Sequence, residues 1–131
     1  MKVDIFTTDN KYDIIYADPP WEYRNNTIKA WGFEYKTVGF TWVKKNKNGG
    51  NFFGVGWYTK SNAEVCLIGV KGKAPKISNS ISSLVESVRE EHSKKPSVIR
   101  DKIVEFSGDI PRIELFARQH ADGWDCWGNE C

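Results

Sequence analysis

The sequence predicts a single α/β domain over residues 1–131, built on a mostly parallel sheet flanked by helices. Three observations predict it. Residues 12–17, 64–70 and 112–117 are near-continuous apolar runs, each too short for a helix, as strands buried on both faces require. Residues 96–106 place Ile99, Ile103 and Phe106 on one helical stripe, opened by Pro96 and stopped by Gly108. A chain of 131 residues is long enough to bury a core of its own.

Taken in order, residues 3–6 read as a short first strand and residues 7–11 as the turn into the strand at Ile14. Residues 22–29 are polar, with Asn25 and Asn26, and read as loop. Residues 35–43 are rich in Thr, Val and aromatics and form the next strand, closed by the basic Asn/Gly turn of residues 44–50. Residues 51–60, with Phe52, Phe53, Trp57 and Tyr58 among glycines, suit a loop better than a core strand. Ile81, Leu84, Val85 and Val88 have helical spacing, yet their β-branching and serine-rich surroundings favour a strand over 84–89. The tail from Asp122 carries Trp124 and Trp127 and is expected to pack. Linkers, repeats and low-complexity tracts are absent.

Nineteen basic residues against seventeen acidic give a net charge of +2, too weak for the broad basic footprint of a dedicated nucleic-acid binder. Six Trp, five Tyr and seven Phe suit stacking on bases as well as core packing. Three cysteines without a Cys-x-x-Cys pair argue against a disulfide framework or structural zinc. The two histidines lack neighbours at metal-ligand spacing, so no metal is expected. With no signal peptide, apolar span or lipidation motif, the expectation is a cytoplasmic protein without membrane contact.

Asp18-Pro19-Pro20-Trp21 directly follows the strand ending at Ala17. The prolines stiffen the segment, and ligands in open α/β sheets bind beyond the carboxyl ends of strands. A fixed carboxylate beside an indole suits a flat, hydrogen-bonding ring; a simple Pro-Pro turn accounts for the same four residues. Lys94 and Lys95 stand where a helix dipole is already positive, which either a bound anion or plain solvation accommodates. Arg118, Gln119 and His120 follow the strand 112–117, and Asn129 with Glu130 could hold two vicinal hydroxyls.

A series of blocks carries a family resemblance. Tyr16-Ala17-Asp18-Pro19-Pro20-Trp21, Trp42-Val43-Lys44 and Glu64-Val65-Cys66-Leu67-Ile68-Gly69-Val70-Lys71-Gly72 are the first three. Glu91-His92-Ser93-Lys94-Lys95-Pro96, Arg112-Ile113-Glu114-Leu115-Phe116-Ala117-Arg118, Gly123-Trp124 and Trp127-Gly128-Asn129 follow in the same order. The chain resembles the S-adenosylmethionine-dependent adenine-N6 methyltransferases, which include the eukaryotic messenger-RNA adenosine methyltransferase catalytic subunit and many phage and bacterial members. Its wording is nearest to the phage-type members, implying DNA ahead of RNA as substrate.

The resemblance implies a Rossmann-like methyltransferase fold with S-adenosylmethionine as cosubstrate. Asp18 and the Pro19 carbonyl, in the stiff loop completed by Pro20, would accept hydrogen bonds from the target amine. Trp21, with Tyr23, would stack on the adenine. Lys95 would face the cosubstrate's carboxylate or help place the adenine. Arg118, His120, Asn129 and Glu130 would line its ribose and methionine parts, and Asp4 and Ile5 its adenine. Ala121 replaces an Asn, and Glu130 a Gln, of some relatives. Lys60, in the loop 49–60 near Lys44, Lys45 and Lys47, is a candidate nucleic-acid contact, with a solvated loop as the alternative. Between Trp21 and Ala30 the family carries a longer segment with a further central strand, reduced here to residues 22–29. Unpaired backbone there calls for a replacement, for which a homodimer is one source. The rival to an enzyme is a non-catalytic member serving as a nucleic-acid-binding or scaffolding subunit; methylation of a small molecule or protein amine is a third reading.

Overall fold

Ile14–Ala17 (β1) runs parallel to Arg112–Leu115 (β5), which in turn runs parallel to Asp125–Trp127 (β6), giving a three-stranded sheet in the order β1-β5-β6. The computed structural model describes residues 1–17, 32–54, 58–60, 62–73, 78, 80–89 and 95–131. A second three-stranded sheet places Glu34–Lys45 (β2) between Ala63–Val70 (β3), antiparallel, and Leu84–Val88 (β4), parallel. Among the described residues the strands thus form two sheets, where the sequence predicts one; three of their four ladders are parallel.

The helix Ser97–Ser107 (α1) is the only one among the described residues, and its core-facing side carries Ile99 and Arg100. Pro96 enters it in extended geometry, and Gly108 ends it with φ 90°, donating its N–H to the Val104 carbonyl at 2.7 Å. A single core joins the elements: Tyr16 of β1, Phe40 and Trp42 of β2, Val85 of β4, Ile99 of α1 and Trp124. Burying Ile99 or Val85 stabilises the fold by about 1.5–3 kcal/mol each. Val85 alternates with exposed Leu84 and Glu86, so the period of two prevails over the helical spacing of this segment.

Residues 3–6 do not form the expected strand. Asp4 folds them into a turn: its carbonyl accepts the N–H groups of Thr7 and Thr8, and its Oδ1 accepts that of Phe6 at 3.0 Å. A short acidic side chain that bonds its own backbone competes with a ladder. Only Lys2 bridges to Cys126, in parallel, at the β6 side of the first sheet. The tail does pack, with Trp124 and Cys126 buried. No helix among the described residues is long and apolar enough to cross a membrane.

Candidate functional site

The register aligns Ala17, Leu115 and Trp127 in one row across β1, β5 and β6. The segments that follow β5 and β6, beginning at Phe116 and Gly128, therefore start from one edge together with the end of β1 at Ala17, the carboxyl edge at which such sheets bind ligands. Phe116 turns the chain with φ 59°, a left-handed conformation unusual for a bulky residue and of the kind that collects at functional sites. Its ring meets Trp127 edge to face at 5.3 Å, and the exposed Phe6 ring meets Trp127 at 6.0 Å. The Asp4 turn, with exposed Asp4 and half-buried Ile5, leads directly to Phe6 and so lies beside Trp127.

Ala117 is buried, and its N–H donates to the Trp127 carbonyl at 3.1 Å. Gly128 lies so close to this stretch that a Cβ would stand 2.8 Å from both Ala117 N and Ala117 O. That close approach brings residues 128–130 against residues 116–118. Arg118 Nε consequently reaches Glu130 Oε2 at 2.5 Å, with exposed Asn129 adjoining. A guanidinium, an amide and a carboxylate thus gather at the strand ends. This donor and acceptor set fits a ribose diol and a ligand carboxylate, the polar groups of the methyl donor implied above.

Lys95 belongs to a second cluster. Glu64 of β3 receives Lys44 on Oε1 at 2.7 Å and Lys95 on Oε2 at 2.6 Å, while both ammonium groups lie over the Trp42 ring, at 5.3 and 6.0 Å. Trp42 and Lys44 share one face of β2, and Trp42 pairs directly with Glu64 across the ladder. Burial alone would raise the Glu64 carboxyl, but hydrogen bonds and charge from Lys44 and Lys95 outweigh it and hold the group below its ordinary range. Glu64 and Lys44 were legible in the sequence only as parts of blocks, because their meeting depends on the antiparallel register.

His120 sits elsewhere. Its Nε2 lies 2.9 Å from the Met1 amino group, which also contacts the Trp124 carbonyl at 3.4 Å and Asp125 Oδ1 at 3.4 Å. This is the amino end of β6, opposite the edge where Arg118 and Glu130 meet. Lys60 lies over the exposed Phe53 ring at 5.3 Å. Asp18, Pro19, Pro20, Trp21 and Tyr23 lie outside the described residues. Among the described residues, no group of three or more His, Cys, Asp or Glu side chains could hold a metal ion.

The family model described as MT-A70 matches residues 22–130. The type II methyltransferase M.MunI of Mycoplasma sp is 40% identical over 104 residues, covering 78% of this chain and 42% of that protein. A putative N(6)-adenosine-methyltransferase MT-A70-like protein of Medicago truncatula is 33% identical over 113 residues, 79% of this chain and 17% of the relative. A probable N(6)-adenosine-methyltransferase MT-A70-like protein of Oryza sativa subsp. japonica is 27% identical over 139 residues, 99% of this chain and 19% of the relative. The chain spans less than half the length of each of these relatives.

Proposed function

Because the chain belongs to the MT-A70 family, we propose that it moves a methyl group from S-adenosylmethionine to the exocyclic N6 amine of adenine in nucleic acid, with DNA ahead of RNA. Support for the chemistry comes from the ordered family match. The preference for DNA rests on the resemblance to the phage-type members. The observation that carries the site is the row Ala17–Leu115–Trp127, at which the segments after β5 and β6 depart beside the end of β1.

S-adenosylmethionine supplies an electrophilic methyl sulfonium. Every other requirement falls on the chain. Adenine's N6 lone pair is delocalised into the ring, so the amine is a poor nucleophile. In this proposal the Asp18 carboxylate and the Pro19 carbonyl accept its two N–H bonds and turn the lone pair toward the methyl carbon. Trp21 and Tyr23 hold the ring by stacking, worth about 1–3 kcal/mol per base. Arg118, Asn129 and Glu130 hold the donor's ribose and methionine ends, and Lys95, fixed by Glu64, faces a carboxylate. Transfer would then be an in-line displacement, the N6–carbon bond forming as the carbon–sulfur bond breaks, with S-adenosylhomocysteine leaving and one N6 proton lost to solvent, favoured by positioning and local electrostatics. A base in a duplex must first leave the stack, which costs a few kcal/mol.

The test is a methyl-transfer assay on adenine-containing DNA, RNA and free nucleosides side by side, with mass detection of methyladenine after digestion. The expected result is N6-methyladenine in DNA, abolished by Asp18→Ala while S-adenosylmethionine binding is retained. Methylation that survives Asp18→Ala overturns the mechanism.

A second proposal is a non-catalytic member serving as a binding or scaffolding subunit. It is favoured by the division of the described strands into two sheets, with β1 paired on one side only among them. Calorimetry with S-adenosylmethionine separates the two, since a scaffold gives no heat of binding. A second copy of the chain could supply the strand beside β1; a protein that sediments as a monomer at all concentrations excludes that partner.

A further inference from the structure

At the carboxyl end of β2, successive carbonyls receive two different segments. Lys44 O accepts the Phe52 N–H at 3.0 Å, and Lys45 O accepts the Arg89 N–H at 3.0 Å. Two stretches far apart in sequence are thereby pinned to one strand end. The Arg89 guanidinium lies 4.0 Å from the centre of the Phe52 ring. Lys44 Nζ lies 6.0 Å from the same ring, and the next residue, Phe53, sits beneath Lys60. Lys45 is occupied with Asn51 Oδ1 at 2.8 Å and with Glu86 at 3.7 Å. Arg89, by contrast, is exposed and pairs with no carboxylate among the described residues.

A guanidinium carbon 4.0 Å from a ring centre is a cation–π contact, which uses no carboxylate and leaves the N–H donors available. The contact anchors the side chain, and a guanidinium with free N–H groups can bind a phosphate through two parallel hydrogen bonds. A row runs from Lys95 through Glu64 and Lys44 by ion pairs, and on to Phe52 and Arg89 by cation–π distances of 6.0 and 4.0 Å. It connects the cluster that holds Lys95 to the outer end of the sheet. A net charge of only +2 means that backbone affinity has to be local, and here cations alternate with aromatic rings.

We propose that Arg89, held against Phe52, is a phosphate-binding station for the substrate strand, gripping a phosphodiester that flanks the target adenine. This rests on the proposal that the substrate is a nucleic acid.

The test measures binding of a fluorescein-labelled single-stranded thymidine twelve-mer carrying one adenine to the full 131-residue chain, from low to moderate salt. Arg89→Ala is expected to weaken binding about 5–10-fold and to lower the slope of log K against log salt by about 0.7, the loss of one phosphate contact. Phe52→Leu retains every charge and is expected to weaken binding about 2–4-fold with the slope unchanged. Lys36→Ala, removing an exposed cation already paired with Glu34 at 3.3 Å, is expected to bind as the wild type does. Near-UV circular dichroism confirms that each variant is folded. Wild-type affinity and slope in Arg89→Ala, or an equal loss in Lys36→Ala, overturns the station alone. Failure of the wild-type chain to bind the oligonucleotide overturns the nucleic-acid substrate, and the station with it.

Discussion

Arg100 of α1 reaches Glu114 of β5 inside the protein, with Nη1 3.3 Å from Oε1 and 3.4 Å from Oε2 and the two side chains only 5% and 9% exposed. Five residues earlier, Lys95 reaches Glu64 of β3. The helix is thus ion-paired to the central strand of the first sheet, and the segment just before it to an edge strand of the second.

Glu114→Ala leaves a buried guanidinium without its charge partner. The expected loss is about 3–5 kcal/mol, a large part of the stability of a domain this size. Urea denaturation measures it, and Glu114→Gln, which retains an acceptor, is expected to fall between the two.

Glu64 has an acid signature. Its carboxyl is held below the ordinary 4.5, so its contribution to stability is complete above that value and is lost as pH falls through the lower folded value. Thermal unfolding followed from pH 7 down to pH 3 is expected to fall more steeply in the wild type than in Glu64→Gln. Parallel curves for the two proteins count against the lysine pairing.

Cys126 behaves oppositely. Burial, with the Cys131 thiol adding to it, pushes its thiol up to about 11 from an ordinary 9.0. Its contribution is complete below 9.0 and lost as pH rises toward 11. In the native protein near pH 8, a thiol reagent is expected to label half-exposed Cys131 and Cys66 well before Cys126, read by mass spectrometry of digests.

Gly128→Ala drives a methyl into the Ala117 backbone. Separation of residues 128–130 from residues 116–118 is expected to cost about 1–3 kcal/mol. Calorimetry is expected to show weaker S-adenosylmethionine binding, since Arg118 and Glu130 no longer meet. Unchanged binding by a folded Gly128→Ala protein separates this edge from the donor site.

Local patterns made β1, β2, β3, α1 and β5 legible, because alternation, apolar runs and the Pro96–Gly108 bracket belong to single segments. What depends on partners was not legible. The antiparallel register that sets Glu64 opposite Trp42 gives Lys95 a carboxylate partner that no local pattern announces. The Asp4 turn replaces a strand whose residues looked suitable, since one side-chain oxygen captured the backbone first. Arg118 and Glu130 are expected in one site by the resemblance alone, and they meet through the close approach at Gly128. His120, read with them, lies instead beside Met1. The left-handed backbone at Phe116 has no sequence signal, because a bulky aromatic is among the residues least suited to it.

The first sheet also sets a schedule for synthesis. Ile14 finds its rung at Arg112, and Lys2 at Cys126, so residues 2–17 lack these partners until residues 112–126 have been made. Throughout that delay the second sheet can zip from nearer neighbours, while β1 is exposed to chaperones, to other nascent chains and to premature pairing.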